Sequence, residues 1–313
     1  MATQEMRKVY VETLIELGER DERIMVVEAD LMKAHGTTSF AERFPGRAVD
    51  VGVAEANMVG VSAGLSLGGK IPFAATFGCF ASRRAFDQFF LSANYARLNV
   101  KLVGTDPGVT AAFNGGTHMP FEDVGLMRMV PGLTIFEPSD PVSLKALMAQ
   151  SAAMWGCTYM RLSRKEAIEP IYEQGEEFTL GKGKVLFDGS DVTIVAMGGL
   201  LVGEAIKAHG MLAKDGINAA VIDMHTVKPL DEELLLHHAR KSGAVVTAEN
   251  HQTAGGLGAA VANFLSRACP TPMRMVGIQD EFGQVGTQVW LQQYYRLTAE
   301  EIVVKAKELL EKR

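Results

Sequence analysis

Residues 51–64, VGVAEANMVGVSAG, hold one carboxylate, Glu55, in a run of Val, Ala, Gly and Met with no basic residue beside it. An ionised carboxylate in apolar surroundings costs several kcal/mol unless it is hydrogen-bonded or takes up a proton. Glu55 is therefore a candidate for acid–base work toward a ligand. His118 lies at the end of the Gly-rich loop in TDPGVTAAFNGGTHMPFEDVGLMR (105–128), just before an expected helix. Such a loop lets the backbone approach a ligand, and a histidine there can hydrogen-bond a polar substrate or merely serve the turn. Phe77 and Phe80, three apart in ATFGCFASRRAF (75–86), fall at the C-terminal end of an expected strand. Open parallel sheets bind ligands there, and two rings could flank a planar group or belong to the core.

Other chemistries find less support. GGLGAAVANFL (255–265) is a Gly-rich turn before a helix, but it lacks the third glycine of a dinucleotide fingerprint and reads better as a tight strand-to-helix connection. GVSAG (60–64) has its serine one position too early for a hydrolase elbow, and neither H-E-x-x-H nor C-x-x-C occurs. His237 and His238 are expected on a polar helix face, solvated rather than metal-binding. No metal ligands are assigned within the chain.

Composition agrees. The net charge of −6, with no long basic block, makes nucleic acid or an anionic membrane an unsuitable partner. No stretch approaches the ~18 apolar residues of a membrane span. Three widely spaced cysteines and an N-terminus unlike a signal peptide fit a cytoplasmic protein.

The elements that must position these residues alternate. Helical spacing covers 3–20, followed by strands at 23–30 and 48–55, a helix of small residues at 57–69, and a strand at 71–77. A helix over 82–98 and strands at 100–106, 133–140 and 157–164 complete the first unit. Residues 165–190 are charged and rich in turn signals, and read as a connection with room for a hairpin. Strands at 192–197, 217–224, 244–250 and 273–278 then alternate with helices near 200–214, 231–242, 255–268 and 298–312. Two consecutive α/β domains with mainly parallel sheets are predicted, at 1–170 and 191–313, with a linker at 171–190.

Taken in order, AEANMVGVSAGLSLGGKIPFAATF, GGTHMPFEDVGLMRMVPGLTIFEPSD, YMRLSR, TVKPLDEELL, AENHQTAGGLG and DEFGQVG resemble the C-terminal half of transketolase. That half comprises a pyrimidine-binding domain and a C-terminal domain, as in two-subunit ("split") transketolases. The resemblance implies that Glu55 hydrogen-bonds the aminopyrimidine of thiamine diphosphate and favours the tautomer that deprotonates the thiazolium. Phe80 would stack on the pyrimidine with Phe77 beside it, Asp30 would line the coenzyme pocket, and His118 would face the sugar's reacting oxygens. The G-D-G…Asn motif that holds the diphosphate through Mg²⁺ or Ca²⁺ is absent, which implies an N-terminal partner subunit and a heterotetramer of two copies of each chain. The implied activity is transfer of a two-carbon ketol unit between sugars, and the chain alone would be inactive.

Arg7 and Arg164 match the arginines that hold the sugar's terminal phosphate. The family's serine and histidine there correspond to Ala34 and Asp106, the acid before G-x-T-H is Asn114, and His35 could replace a lost contact. An aspartate near a phosphate is repulsive, so these departures point toward a sulfonated, branched or deoxy sugar. The alternatives are the β chain of a 2-oxoacid dehydrogenase, a deoxyxylulose-phosphate synthase-like half, or a non-catalytic subunit of the same fold.

Overall fold

A computed structural model describes residues 4–165, 167–168 and 170–311. Its first sheet has seven strands, in the order Thr226–Lys228, Thr134–Phe136, Thr158–Leu162, Lys101–Thr105, Ile71–Phe77, Ile24–Glu28, Ala48–Asp50. All pairings are parallel except that of Thr226–Lys228. The central strands are buried almost throughout, as a parallel sheet covered on both faces requires. On one face, helix Met6–Arg20 sets Tyr10 and Leu14 against Leu144, Leu147 and Met148 of helix Pro141–Ala153. On the other, Met58 and Val59 of helix Glu55–Leu67 pack with Phe89 and Ala93.

Several local readings change. Helix Pro141–Ala153 adds to the elements expected above, and SDPVS carries its start signal: Asp140 accepts from the Ser143 N–H at 2.7 Å, Ser143 Oγ accepts from the Asp140 N–H, and Pro141 opens the helix. The helix expected over 82–98 is a broken one, with π-helical turns at Phe80–Arg84 and Phe89–Tyr95. A widened turn shifts side chains off the 3.6-residue period, and such turns collect at functional sites.

The second sheet runs Met273–Ile278, Val245–Gln252, Val192–Ala196, Ala219–Asp223, Lys184–Phe187, the last strand antiparallel. Helices Gly198–Lys214, Glu232–Ser242, Leu257–Ala268 and Ala299–Leu310 cover it. The connecting region holds no hairpin among the described residues: Ala167–Ile168 pairs with Gln4–Glu5, whereas Lys184–Phe187 joins the second sheet. The molecule is thus two α/β domains with mainly parallel sheets.

The domains interlock. Thr226–Lys228, from the second half of the chain, extends the first sheet. Arg161, fully buried, pairs with Asp123 and Glu137 and donates to the Asn250 carbonyl at 3.0 Å. Asn250 in turn accepts from the Val109 N–H and donates to the Pro107 carbonyl. Gly108, at φ +52°, must be glycine here, because a Cβ would come within 2.0 Å of Asn250 Oδ1.

Candidate active site

The carboxyl ends of strands Ile24–Glu28, Ile71–Phe77 and Lys101–Thr105 bring most of the candidate residues into one row. Phe77 ends its strand, and the chain turns through Cys79 into the π-helical turn that carries Phe80 and Arg84. The Phe77 and Phe80 ring centres are 6.0 Å apart. His118 meets both edge-on, at 5.8 and 5.2 Å, and its Nδ1 lies 2.8 Å from Thr117 Oγ1. Its loop is clamped twice: Arg83 donates to the Thr117 carbonyl at 3.0 Å, and Gly116 packs against the Gly283 backbone so closely that a Cβ would clash.

Glu55 lies at one end of the row. It opens helix Glu55–Leu67, where a carboxylate is favoured by the helix dipole, and is 2% exposed. The expectation that no basic group pairs with it is corrected: Arg84 Nη1 donates to both its oxygens, at 2.8 and 2.9 Å. Arg84 is 29 residues away in sequence, brought back by the β-strand and the π turn, so no local spacing announces it. Its guanidinium carbon lies 4.2 Å from the Phe80 ring centre. A cavity of ≈ 590 Å³, lined by Cys79, Phe80, Arg83, Arg84, Thr117 and His118, opens beside these groups. The Cys79 thiol is no nucleophile there, because burial pushes it up to about 11.

At the other end, the Arg164 guanidinium carbon lies 5.2 Å from the Phe77 ring centre. Arg164 holds Asp106 through Nε–Oδ1 at 3.2 Å and Nη2–Oδ2 at 2.8 Å, with both side chains buried. Arg164 and Arg7 both donate to the Ala34 carbonyl, at 3.0 and 3.3 Å. His35, fully buried, bridges Glu28 Oε2 (2.7 Å) and Thr105 Oγ1 (3.1 Å), and Thr37 donates to the other Glu28 oxygen. Sequence reasoning missed Glu28, Thr37 and Thr105 as well as Arg84; VVEAD, a buried strand ending in acids, was the available signal for Glu28.

Asp30 and Asn114 stand apart. Both are exposed, and the contacts that join the row do not pass through them. Asp30 takes a positive φ at its strand end and donates its backbone N–H to Asp50 Oδ1. His238, expected to be solvated, is buried, and burial lowers its basicity; His237 is exposed. The GGLG turn is filled from within, since Glu249 accepts from the N–H groups of Leu257 and Gly258 at 2.6 and 2.7 Å. No group of three metal-ligating side chains is found among the described residues, and none of their helices is long and apolar enough to cross a membrane.

A buried acid, two aromatic rings and a histidine lie along one sheet edge, with two arginines further along. Residues 2–168 match the transketolase pyrimidine-binding domain model and residues 181–302 the transketolase C-terminal domain model, so the chain belongs to the transketolase family. It is 52% identical to the 6-deoxy-6-sulfo-D-fructose transketolase subunit SqwH of Clostridium sp. (strain MSTE9), over 98% of this chain and 95% of that one. It is 36% identical to a subunit of the apulose-4-phosphate transketolase of Phocaeicola vulgatus (strain ATCC 8482), over 98% and 97%. A solved structure described as a split gene transketolase, inactive beta4 tetramer, superposes with a TM-score of 0.90 at 41% identity, covering 98% of both chains. The chain is a transferase of the split transketolase kind, whose family coenzyme is thiamine diphosphate.

The residues fit one end of that coenzyme. Each Glu55 oxygen accepts one bond from Arg84 and retains capacity for another, and Phe80 and His118 border open space with Phe77 packed behind them. A place for the charged end, with its metal, is not found among the described residues.

Proposed function

We propose that this chain forms the ring-binding and sugar-binding half of a two-subunit transketolase acting on a ketose with an anionic terminus. A 6-deoxy-6-sulfo ketose suits it best, because the most similar relative named above carries that substrate in its name and Asp106 takes the place of the family's phosphate-binding histidine. The single observation that carries the reading is the continuous row from Glu55 through Phe80, His118 and Phe77 to Arg164 and Arg7.

In this reading Glu55 holds a proton or hydrogen bond at the coenzyme's pyrimidine, and Phe80 and Phe77 fix the ring's plane. The bound coenzyme supplies a carbanion sink for cleaving and forming the ketol carbon–carbon bond. His118 donates to or accepts from the sugar's reacting oxygens, while Arg7 and Arg164 orient its far end; His35, expected to contact the sugar, is instead held between Glu28 and Thr105 behind them. Asp30 and Asn114 meet coenzyme and sugar once the partner closes over the edge. That partner is an N-terminal, diphosphate-binding subunit carrying the Mg²⁺ or Ca²⁺ ligands, in a heterotetramer of two plus two. The pyrimidine-binding domain spans 1–170 and the C-terminal domain 191–313, with the linker expected at 171–190 shortened because strand Lys184–Phe187 belongs to the second sheet. A cytoplasmic setting suits the three free cysteines.

The test is reconstitution with the N-terminal subunit, thiamine diphosphate and Mg²⁺, assayed with a sulfo-ketose donor and an aldose acceptor. The pair turns over and the chain alone does not. Consumption of a 2-oxoacid in place of a ketose would replace this reading with the dehydrogenase one.

A further inference from the structure

The two arginines proposed to hold the sugar's anionic end do not carry equal charge into the site. Arg7 pairs with Glu5 at the surface, both about 30% exposed, where solvent screens the attraction. Arg164 is locked to Asp106 in a two-point contact with both side chains 5% exposed or less, and a buried pair is screened little. Both guanidinium groups flank the same carbonyl, that of Ala34, so one ligand can face both. Of the two cations on that carbonyl, Arg164 is offset by the buried Asp106 carboxylate, which lowers the positive charge that the substrate's end would meet. His35, the next polar group, is already engaged by the buried Glu28. Asp106 also holds a φ of +55°, an uncommon conformation that the Arg164 contact and its backbone bond to Leu162 fix in place.

We propose that Asp106 is a specificity-determining residue that matches this subsite to a terminal monoanion, such as a sulfonate, and disfavours a terminal phosphate dianion. The inference rests on the reading of Arg7 and Arg164 as ligands of the sugar's end. A sulfonate and a phosphate both present three tetrahedral oxygens, so shape separates them poorly and charge must do it. A phosphate monoester carries about −1.5 to −2 at pH 7, its second ionisation lying near pH 6, whereas a sulfonate stays at −1. The buried Asp106 carboxylate opposes the second charge directly.

The experiment uses the reconstituted pair and compares kcat/KM for a 6-sulfo ketose with that for the corresponding ketose 6-phosphate. The wild type prefers the sulfonate at about pH 8, and the preference shrinks about tenfold or more toward about pH 5.5, as the phosphate becomes a monoanion. His35, Glu28, Glu5, Arg7 and Arg164 face both ligands too, and any charge change on them would act unequally on a monoanion and a dianion, so the contribution of Asp106 is read from the difference between the wild-type and Asp106→Asn profiles. Asp106→Asn, which tolerates the positive φ and can still bond Arg164, moves the ratio toward phosphate by about tenfold or more, through KM, and flattens its pH dependence. A ratio indifferent to both pH and Asp106→Asn, in a pair active on both sugars, overturns the proposal. If Arg7→Met and Arg164→Met leave both KM values unchanged, the anion-site reading itself fails instead. Should Asp106→Asn not assemble, the wild-type pH profile decides alone.

Discussion

At the carboxyl edge of the first sheet, Phe80, His118 and Arg84, the partner of Glu55, border open space; at that of the second, Glu249, Asn250 and His251 are buried and bonded within the chain. Glu249 closes a helix N-terminus, Asn250 grips the 107–109 loop, and His251 lies 2.6 Å from the Gln252 carbonyl through Nδ1, with the Gly125 N–H donating to Nε2. Burial drives His251 down to about 4, so it stays neutral at physiological pH. Both edges carry an acid and a histidine near the carboxyl ends of parallel strands. What separates them is whether a cavity opens beside those groups, as it does at Phe80, Arg84 and His118, which the architecture alone does not decide.

The largest effect expected from this difference is at Glu55. Glu55→Gln keeps an oxygen for Arg84 but cannot exchange a proton, and kcat of the reconstituted pair falls about 10³-fold, within the range for acid–base groups. Thermal stability of the isolated chain changes little. A variant that keeps its turnover removes Glu55 from the chemistry and makes the first edge as structural as the second.

Next comes the junction between the two domains. Burial opposes ionisation of Asp123, yet the Arg161 guanidinium holds its carboxyl below the usual range; Glu137, buried beside a second carboxylate, is pushed up. Arg161→Met would leave these acids unpaired, at a cost of about 3–5 kcal/mol. At this chain length that lowers the melting temperature by roughly 10 °C in calorimetry of the chain alone. A shift of only a degree or two means that the network is replaceable and the second edge less structural than its bonds suggest.

These contrasts also explain what could be read beforehand. Strands Ile71–Phe77 and Met273–Ile278 were legible to the residue, because continuous β-branched and apolar runs between turn signals have few other uses. Glu55, His118 and the paired phenylalanines stood out because their types clash with, or punctuate, their surroundings. Arg84 did not, since its partner lies across a crossover and its own turn is π-helical. Nor did the bond between Asp106 and Arg164, 58 residues apart, which turns a misplaced acid into half of an ion pair. Helix Pro141–Ala153 has a weaker apolar period, and its capping box is the signal that reveals it. Thr226–Lys228 has no such signal, as a three-residue strand that completes the other domain's sheet has no pattern of its own.

The effect that is smallest at any one pH, because it is spread over about three pH units, sharpens the second edge. Asp223 ends strand Ala219–Asp223, accepts from the Tyr172 hydroxyl at 2.7 Å, and leaves Oδ1 buried without a hydrogen-bond partner among the described residues. Burial pushes its carboxyl up to about 7 from 3.8. The folded chain therefore keeps a proton that the unfolded chain has released. The associated stability is complete below about pH 4 and is lost as pH rises through about 7, by up to about 1.4 kcal/mol per pH unit inside that window. Asp223→Asn still accepts from Tyr172 and has no charge to bury, so its stability relative to wild type rises as pH goes from 4 to 7. Urea titrations of both proteins across that range measure the difference. Parallel curves would mean that Asp223 ionises freely in the folded chain, and that its burial does not hold the proton in place.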